Sequence, residues 1–129
     1  MTRIAIIGAG LSGLVLARAL QPQAAVTVFD KSSGVGGRMA TRYDDAFSFD
    51  HGAQYFRAKG AAFQDFLSPY LEAGIVRNWQ PLLVSLSPGL EPEASSDTFG
   101  FYVATPRMTS LAKALAEGLD VRTAQEIRT

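Results

Sequence analysis

Three glycines and one acid are the residues of this chain whose spacing points most directly to chemistry. Gly8, Gly10 and Gly13 stand at G-x-G-x-x-G spacing directly after the apolar run Ile4-Ala5-Ile6-Ile7. Asp30 closes a second run, Val26-Thr27-Val28-Phe29. In a strand–turn–helix unit the first glycine permits the tight turn, the second lets a pyrophosphate approach the backbone, and the third lets the helix pack against the strand. Free N–H groups and the positive end of the helix dipole then hold phosphate charge, here at the turn that carries Leu11 and Ser12. An acid about twenty residues beyond the central glycine accepts hydrogen bonds from ribose hydroxyls, and Asp30 stands there. Strand, glycine turn, helix, second strand and terminal acid together imply a dinucleotide ligand.

Beyond Asp30 the chain reads Lys31-Ser32-Ser33-Gly34-Val35-Gly36-Gly37-Arg38-Met39-Ala40-Thr41-Arg42. Glycines this dense predict a loop with unusual backbone angles. Arg38 and Arg42, at its far end, are near enough to the first turn to meet the same pyrophosphate through charge-assisted hydrogen bonds. The competing reading is a surface loop with solvated arginines, and the position directly after the acid favours the phosphate reading. His51 is the only histidine. It could be an acid, a base or an attachment point, but it has no thiol or metal partner in the sequence. A structural or hydrogen-bonding role is therefore the expectation, with catalysis as the alternative.

Composition removes several function classes. The 129 residues carry 12 basic and 12 acidic side chains, and the basic ones are scattered, so there is no electrostatic footprint for nucleic acid. No apolar run approaches the roughly 20 residues that span a bilayer. With no cysteine there is no disulfide framework, thiol nucleophile, zinc–thiolate site or cysteinyl attachment point. A single histidine excludes a multi-histidine metal site within the chain. A reducing cytoplasm fits this usage. The opening segment, with Arg3, an apolar stretch to Leu16 and Ala17-Arg18-Ala19, resembles a secretory signal. Its glycines would weaken the required apolar helix, and a second strand ending in an acid would be coincidence.

The elements that must position these residues are legible in outline. Ile4–Ile7 has the pattern of a parallel strand buried on both faces. Leu11, Leu14, Val15, Ala17 and Ala19 mark the helix after the turn. Residues 44–49 read as a turn into a short strand with Phe47 and Phe49 on one face. Phe63, Phe66, Leu67, Tyr70 and Leu71 follow helical spacing up to Gly74, and Pro69 inside the pattern predicts a kink or two short helices. Strands are expected over 75–80, 82–86 and 99–103, with an exposed turn over 87–97; Trp79 is expected buried in a sheet, with packing against substrate as the alternative. Thr105 and Pro106 read as N-cap and first turn of a last helix with Met108, Leu111, Ala112 and Leu115 buried, ended by Gly118. A strand over 119–122 follows. The fold class is α/β, a Rossmann-like doubly wound sheet.

The glycine turn, Asp30-Lys31, Gly36-Gly37-Arg38-Met39 and Asp50-His51-Gly52-Ala53-Gln54-Tyr55 together resemble the flavin-dependent amine-oxidase superfamily, and within it renalase and its bacterial relatives. The similarity runs on through Tyr102-Val103-Ala104-Thr105-Pro106-Arg107-Met108. The resemblance implies FAD as cofactor, bound by Gly8, Gly10, Leu11, Ser12, Gly13, Asp30, Lys31, Gly37, Arg38, Met39, Ala53, Gln54, Tyr55 and Ile127. By the same resemblance Gly52 and Ala53 give the flavin ring close backbone access, and residues near Ile127 approach the adenine. It implies an FAD-binding first segment over 1–56, the start of a mixed, β-rich substrate domain over 57–104, and a return to the cofactor domain over 105–129. The implied reaction is oxidation of misplaced-hydride isomers of NAD(P)H, with O2 reduced to peroxide. An amine substrate is the first alternative, and a dinucleotide-binding module without turnover the second. Family members are more than twice as long, so the chain is expected to be an amino-terminal portion that is not by itself a competent monomeric oxidase.

Overall fold

The computed structural model describes residues 1–95 and 99–128. The expected turn over 87–97 therefore lies in part outside the described residues. In chain order the elements are β1 (Arg3–Ile7), α1 (Leu11–Leu20), β2 (Ala25–Phe29), β3 (Arg42–Asp44), β4 (Phe47–Phe49), β5 (Phe56–Arg57) and α2 (Ala61–Glu72). They continue with β6 (Val76–Asn78), β7 (Val84–Ser85), β8 (Glu93–Ala94), β9 (Phe101–Ala104), α3 (Thr109–Ala116) and β10 (Asp120–Arg122).

β1, β2 and β10 form a parallel sheet in the order β1-β2-β10, with Ile6 opposite Val28 and Val28 opposite Val121. This is the expected α/β, Rossmann-like arrangement. β1 departs from its expected burial on both faces. Ile6 is buried while Ala5 and Ile7 are exposed, Ile7 at 62%. Side chains alternate along a strand, and α1 and α3 supply apolar cover to the face that carries Ile6 and Val28. There Leu14 and Ala17 of α1 join Leu111, Ala112 and Leu115 of α3 in one buried cluster.

β5, β9 and β6 form an antiparallel sheet with β9 in the centre, and α2 packs on it through Leu67. The buried cluster continues from the parallel sheet into this half through Ala58, Leu67, Val76 and Ala104. β5 was not foreseen, and the expected boundary after residue 56 falls inside it. β7 and β8 pair as a separate hairpin, and β3 and β4 as another, in which Phe47 and Phe49 share a face as expected.

Two expectations about helices change. α2 runs unbroken through Pro69. Proline removes one hydrogen bond to the carbonyl four residues earlier, and the packing of Leu67 with Phe63, Phe66 and Tyr70 against the core holds the helix together. α3 begins at Thr109, not at Pro106. The Thr105 hydroxyl donates to the Gly74 carbonyl at 2.7 Å, so it is not a helix cap. α3 carries no side-chain cap of its own; Asp50 holds its approach, accepting from the Met108 N–H at 3.2 Å and from the Thr41 hydroxyl at 2.6 Å. The expected buried face of Met108, Leu111, Ala112 and Leu115 is found.

Candidate functional site

The first glycine turn folds as its spacing requires. Gly8 turns the chain out of β1 with φ +105°, and a Cβ on Gly13 would overlap the Gly8 carbonyl oxygen. Helix α1 then starts on Gly10, with no side-chain cap and no acid in its first turn. Its opening N–H groups have no intrahelical carbonyl to reach.

The second glycine loop lies against the first. The Gly36 N–H donates to the Ala9 carbonyl at 2.9 Å, and Gly10 and Gly36 form a parallel bridge. Residues 37–39 make one 3-10 turn that brings Arg38 and Met39 alongside. A third strand of chain closes the wall. The Ala53 N–H donates to the Arg38 carbonyl at 2.8 Å, and a Cβ on Gly52 would overlap that same oxygen. Gly52 is thus required by the close approach of two protein backbones, a different reason from the flavin access expected of it.

Between these three segments runs a groove of about 810 Å³. Ile7, Gly8, Gly10, Leu11, Ser12 and Gly13 line one side, and Gly36, Gly37, Arg38, Met39, Gly52 and Ala53 the other. The volume is within the roughly 300–1,000 Å³ of small-molecule sites. Among the described residues, Arg38 is its only ionisable lining side chain.

Asp30 stands behind the first turn. Its Oδ2 accepts from the Ala9 N–H at 2.6 Å and its Oδ1 from the Ser32 N–H at 2.8 Å. Burial alone would raise its carboxyl pKa. The N–H donors of Ser32 and Ala9, the Ser32 side chain and the Lys31 charge outweigh burial and hold it below its ordinary value of 3.8. Asp30 is thus first a clamp on the glycine turn. A carboxylate offers about four lone-pair sites, so capacity to accept from a ribose is left over.

The remaining expected site residues fall outside the groove lining. Lys31, His51 and Gln54 are exposed, and Arg42 sits in the β3–β4 hairpin. Tyr55 packs with Phe101 and Trp79, at ring-centroid distances of 5.1 and 5.8 Å. Trp79 is 40% exposed, contrary to its expected burial, and lies just past the end of β6, an edge strand of its sheet. Ile127 is 48% exposed. Its segment nonetheless lies against the Asp30 loop, with the Ala124 N–H donating to the Ser32 carbonyl at 2.7 Å and the Gln125 N–H to the Asp30 carbonyl at 2.9 Å. No group of three or more metal-ligating side chains occurs among the described residues.

Sequence reasoning missed the residues that hold the site from a distance. Arg18 reaches the open carbonyl end of α3, donating from Nε to Leu115 O at 2.8 Å and from a terminal nitrogen to Ala114 O and Glu117 O at 2.9 Å. The buried Thr109 donates its hydroxyl to Val35 O at 3.3 Å, tying α3 to the second glycine loop. No local pattern signals either contact, because the partners are 74 to 99 residues apart.

Residues 6–70 match the family described as NAD(P)-binding Rossmann-like domain. The chain belongs to that family. Two relatives of this Rossmann-like domain are 4,4'-diapophytoene desaturases (4,4'-diaponeurosporene-forming) of Staphylococcus aureus. The protein of strain Newman is 37% identical over 76 residues, covering 50% of this chain and 15% of its own length. That of the bovine strain RF122 is 47% identical over 51 residues, covering 39% and 10%. The chain thus spans about 15% of the length of the curated relatives it matches.

Among solved structures, the Rossmann-like domain is similar to a double mutant of putrescine oxidase, with a TM-score of 0.54 and 25% identity over 74% of this chain and 22% of that one. Wild-type putrescine oxidase bound to putrescine gives 0.50 and 28% over 74% and 21%. An oxidoreductase from Methanosarcina mazei, at 24% identity and a TM-score of 0.51 over 75% and 25%, shares the fold. Each of these proteins is several times longer than the part it shares with this chain.

Proposed function

We propose that the chain binds FAD along the groove and serves an oxidoreductase that takes a hydride from a small organic molecule. The observation that carries this is the groove itself, walled by main chain from two glycine loops at an uncapped helix start. A dinucleotide fits such a wall. Its phosphates would be held by the N–H groups of Leu11, Ser12 and Gly13 and by the Arg38 guanidinium, and its ribose by the spare lone pairs of Asp30. Bound there, FAD would supply a two-electron acceptor for the hydride, with O2 as the proposed final acceptor.

The finer reading is a renalase-like substrate, an isomeric dihydronicotinamide dinucleotide. Loss of hydride makes that ring aromatic without any proton relay. Its support is the Gly52-Ala53-Gln54-Tyr55 segment. An amine substrate is the second reading, favoured by the likeness to putrescine oxidase. We also propose that 1–56 and 105–129 serve the cofactor and 57–104 the substrate. The sharing of one sheet by β1, β2 and β10, and of another by β5, β6 and β9, supports this division.

The visible absorption spectrum of the purified, FAD-loaded chain is the first test. Bound flavin is yellow, and denaturation after dialysis is expected to release FAD. Release of NAD with no flavin retained under any loading condition would overturn the proposal. A panel of dihydronicotinamide isomers and amines with peroxide detection separates the two substrate readings, and flavin retention with no turnover leaves a binding module.

A further inference from the structure

Two of the segments that supply the groove wall are closed into a ring by side chains outside the groove lining. β3 and β4 pair with Arg42 opposite Phe49, so the residues next outward, Thr41 and Asp50, meet at the base of that hairpin. The Thr41 hydroxyl donates to Asp50 Oδ1 at 2.6 Å. Arg38 stands three residues before Thr41, and Ala53 three after Asp50. The Ala53 N–H donates to the Arg38 carbonyl at 2.8 Å. Residues 38–41 and 50–53 are thus bound to each other at both ends, one end by backbone and the other by side chains.

The ring is stiff, and α3 anchors it from outside. The Met39 N–H donates to Gly36 O at 2.9 Å and the Ala40 N–H to Gly37 O at 3.0 Å, which holds the stretch around Arg38 in one turn. The Met108 N–H donates to both Asp50 oxygens at 3.2 Å, and the Thr109 N–H to the Thr41 hydroxyl at 3.3 Å. Arg38 sits at the groove end of this ring and is the only ionisable side chain lining the groove among the described residues. A guanidinium holds a phosphate through hydrogen bonds of fixed direction. A backbone fixed beforehand leaves less freedom to be lost on binding.

We propose that Thr41 and Asp50 are positioning residues for Arg38: the ring they close fixes the backbone that carries its guanidinium before a ligand arrives. This rests on the function proposed above for the identity of the ligand, and it gives the base of the β3–β4 hairpin a part in binding.

Amide exchange followed by NMR on the ligand-free chain tests the ring, and titration with FAD tests its link to Arg38. In the native chain the Ala53 N–H is expected to be protected without ligand, and an unprotected amide would overturn the ring before any variant is made. Thr41→Val keeps the shape and removes the hydroxyl, and Ala53 is expected to exchange about tenfold faster in it. The Trp79 N–H, bonded to the Phe101 carbonyl beside the antiparallel sheet, is expected to keep its native rate. Thr41→Ser is expected to restore Ala53. The Kd for FAD, read from quenching of flavin fluorescence, is expected to weaken about fivefold in Thr41→Val, with no further loss when Thr41→Val is added to Arg38→Ala. Equal acceleration at both amides, or none at Ala53, would overturn the ring. Losses of FAD affinity that add across the two sites would show that Thr41 does not act through Arg38 and overturn its positioning role. The expected exchange rates in a chain that takes up no FAD would leave the ring standing as a brace on Arg38 and remove the FAD reading.

Discussion

The groove wall is built from main chain, whereas two exposed aromatic patches elsewhere are built from side chains. In the wall, Gly13 meets Gly8, Gly36 is hydrogen-bonded to Ala9, and Gly52 and Ala53 press on Arg38. At Gly13 and Gly52 these approaches leave no room for a Cβ. In those patches Tyr55 and Trp79 pack on each other and on Phe101, Phe47 lies beside Phe49, and the four rings are between 40% and 69% exposed. The difference teaches where substitutions matter. A backbone-built site tolerates almost nothing at its contact points, and a side-chain surface can exchange one flat ring for another.

The sharpest way to break the comparison is Gly13→Val. Its branched side chain would overlap the Gly8 carbonyl, and overpacking of this kind is expected to cost about 3 kcal/mol or more. Urea unfolding of the apoprotein measures it, and a midpoint equal to that of the native chain would show that the wall is not built on this contact. Flavin retention is expected to vanish with it.

Asp30→Ala comes next, with an expected loss of about 1–3 kcal/mol from two hydrogen bonds to a carboxylate. The loss divides into two readouts, the stability of the apoprotein and its affinity for FAD. A drop in both assigns Asp30 to clamp and ribose together, while a drop in stability alone assigns it to the clamp. The carboxyl is held below 3.8, so its stabilisation is fully present above that pH and is lost as pH falls through the lower folded value. The stability gap between the native chain and Asp30→Asn is therefore expected to be constant near neutrality and to close below about pH 4.

Arg18→Ala is expected to cost about 1–2 kcal/mol, since the guanidinium serves the negative end of a helix that is otherwise open. Arg18→Lys is expected to recover part of it by keeping the charge. Thermal unfolding distinguishes the three chains. The smallest effect is expected at Phe47→Ser, within about 0.5 kcal/mol of the native stability, because Phe47 is 69% exposed on a two-stranded hairpin. A loss of several kcal/mol there would mean that the hairpin face is covered.

The glycine spacing, Asp30 and the apolar periods of α1, α2 and α3 were legible in the sequence because each is a local rule. A turn needs glycine at set offsets, and a helix face repeats at fixed spacing. From these the chain alone determined the Rossmann-like class, the groove's first wall and the buried faces of Leu14, Leu67 and Leu111. The tertiary structure decided the rest, and in each case the partner is distant in sequence. Asp50 and not Thr105 holds the approach to α3, Arg18 serves its end, and Gly52 makes room for Arg38. It also decided that Trp79 lies open beside Tyr55 and that Ile7 faces away from the helices. A residue type states what a side chain can do, but which backbone or ring it meets depends on long-range packing.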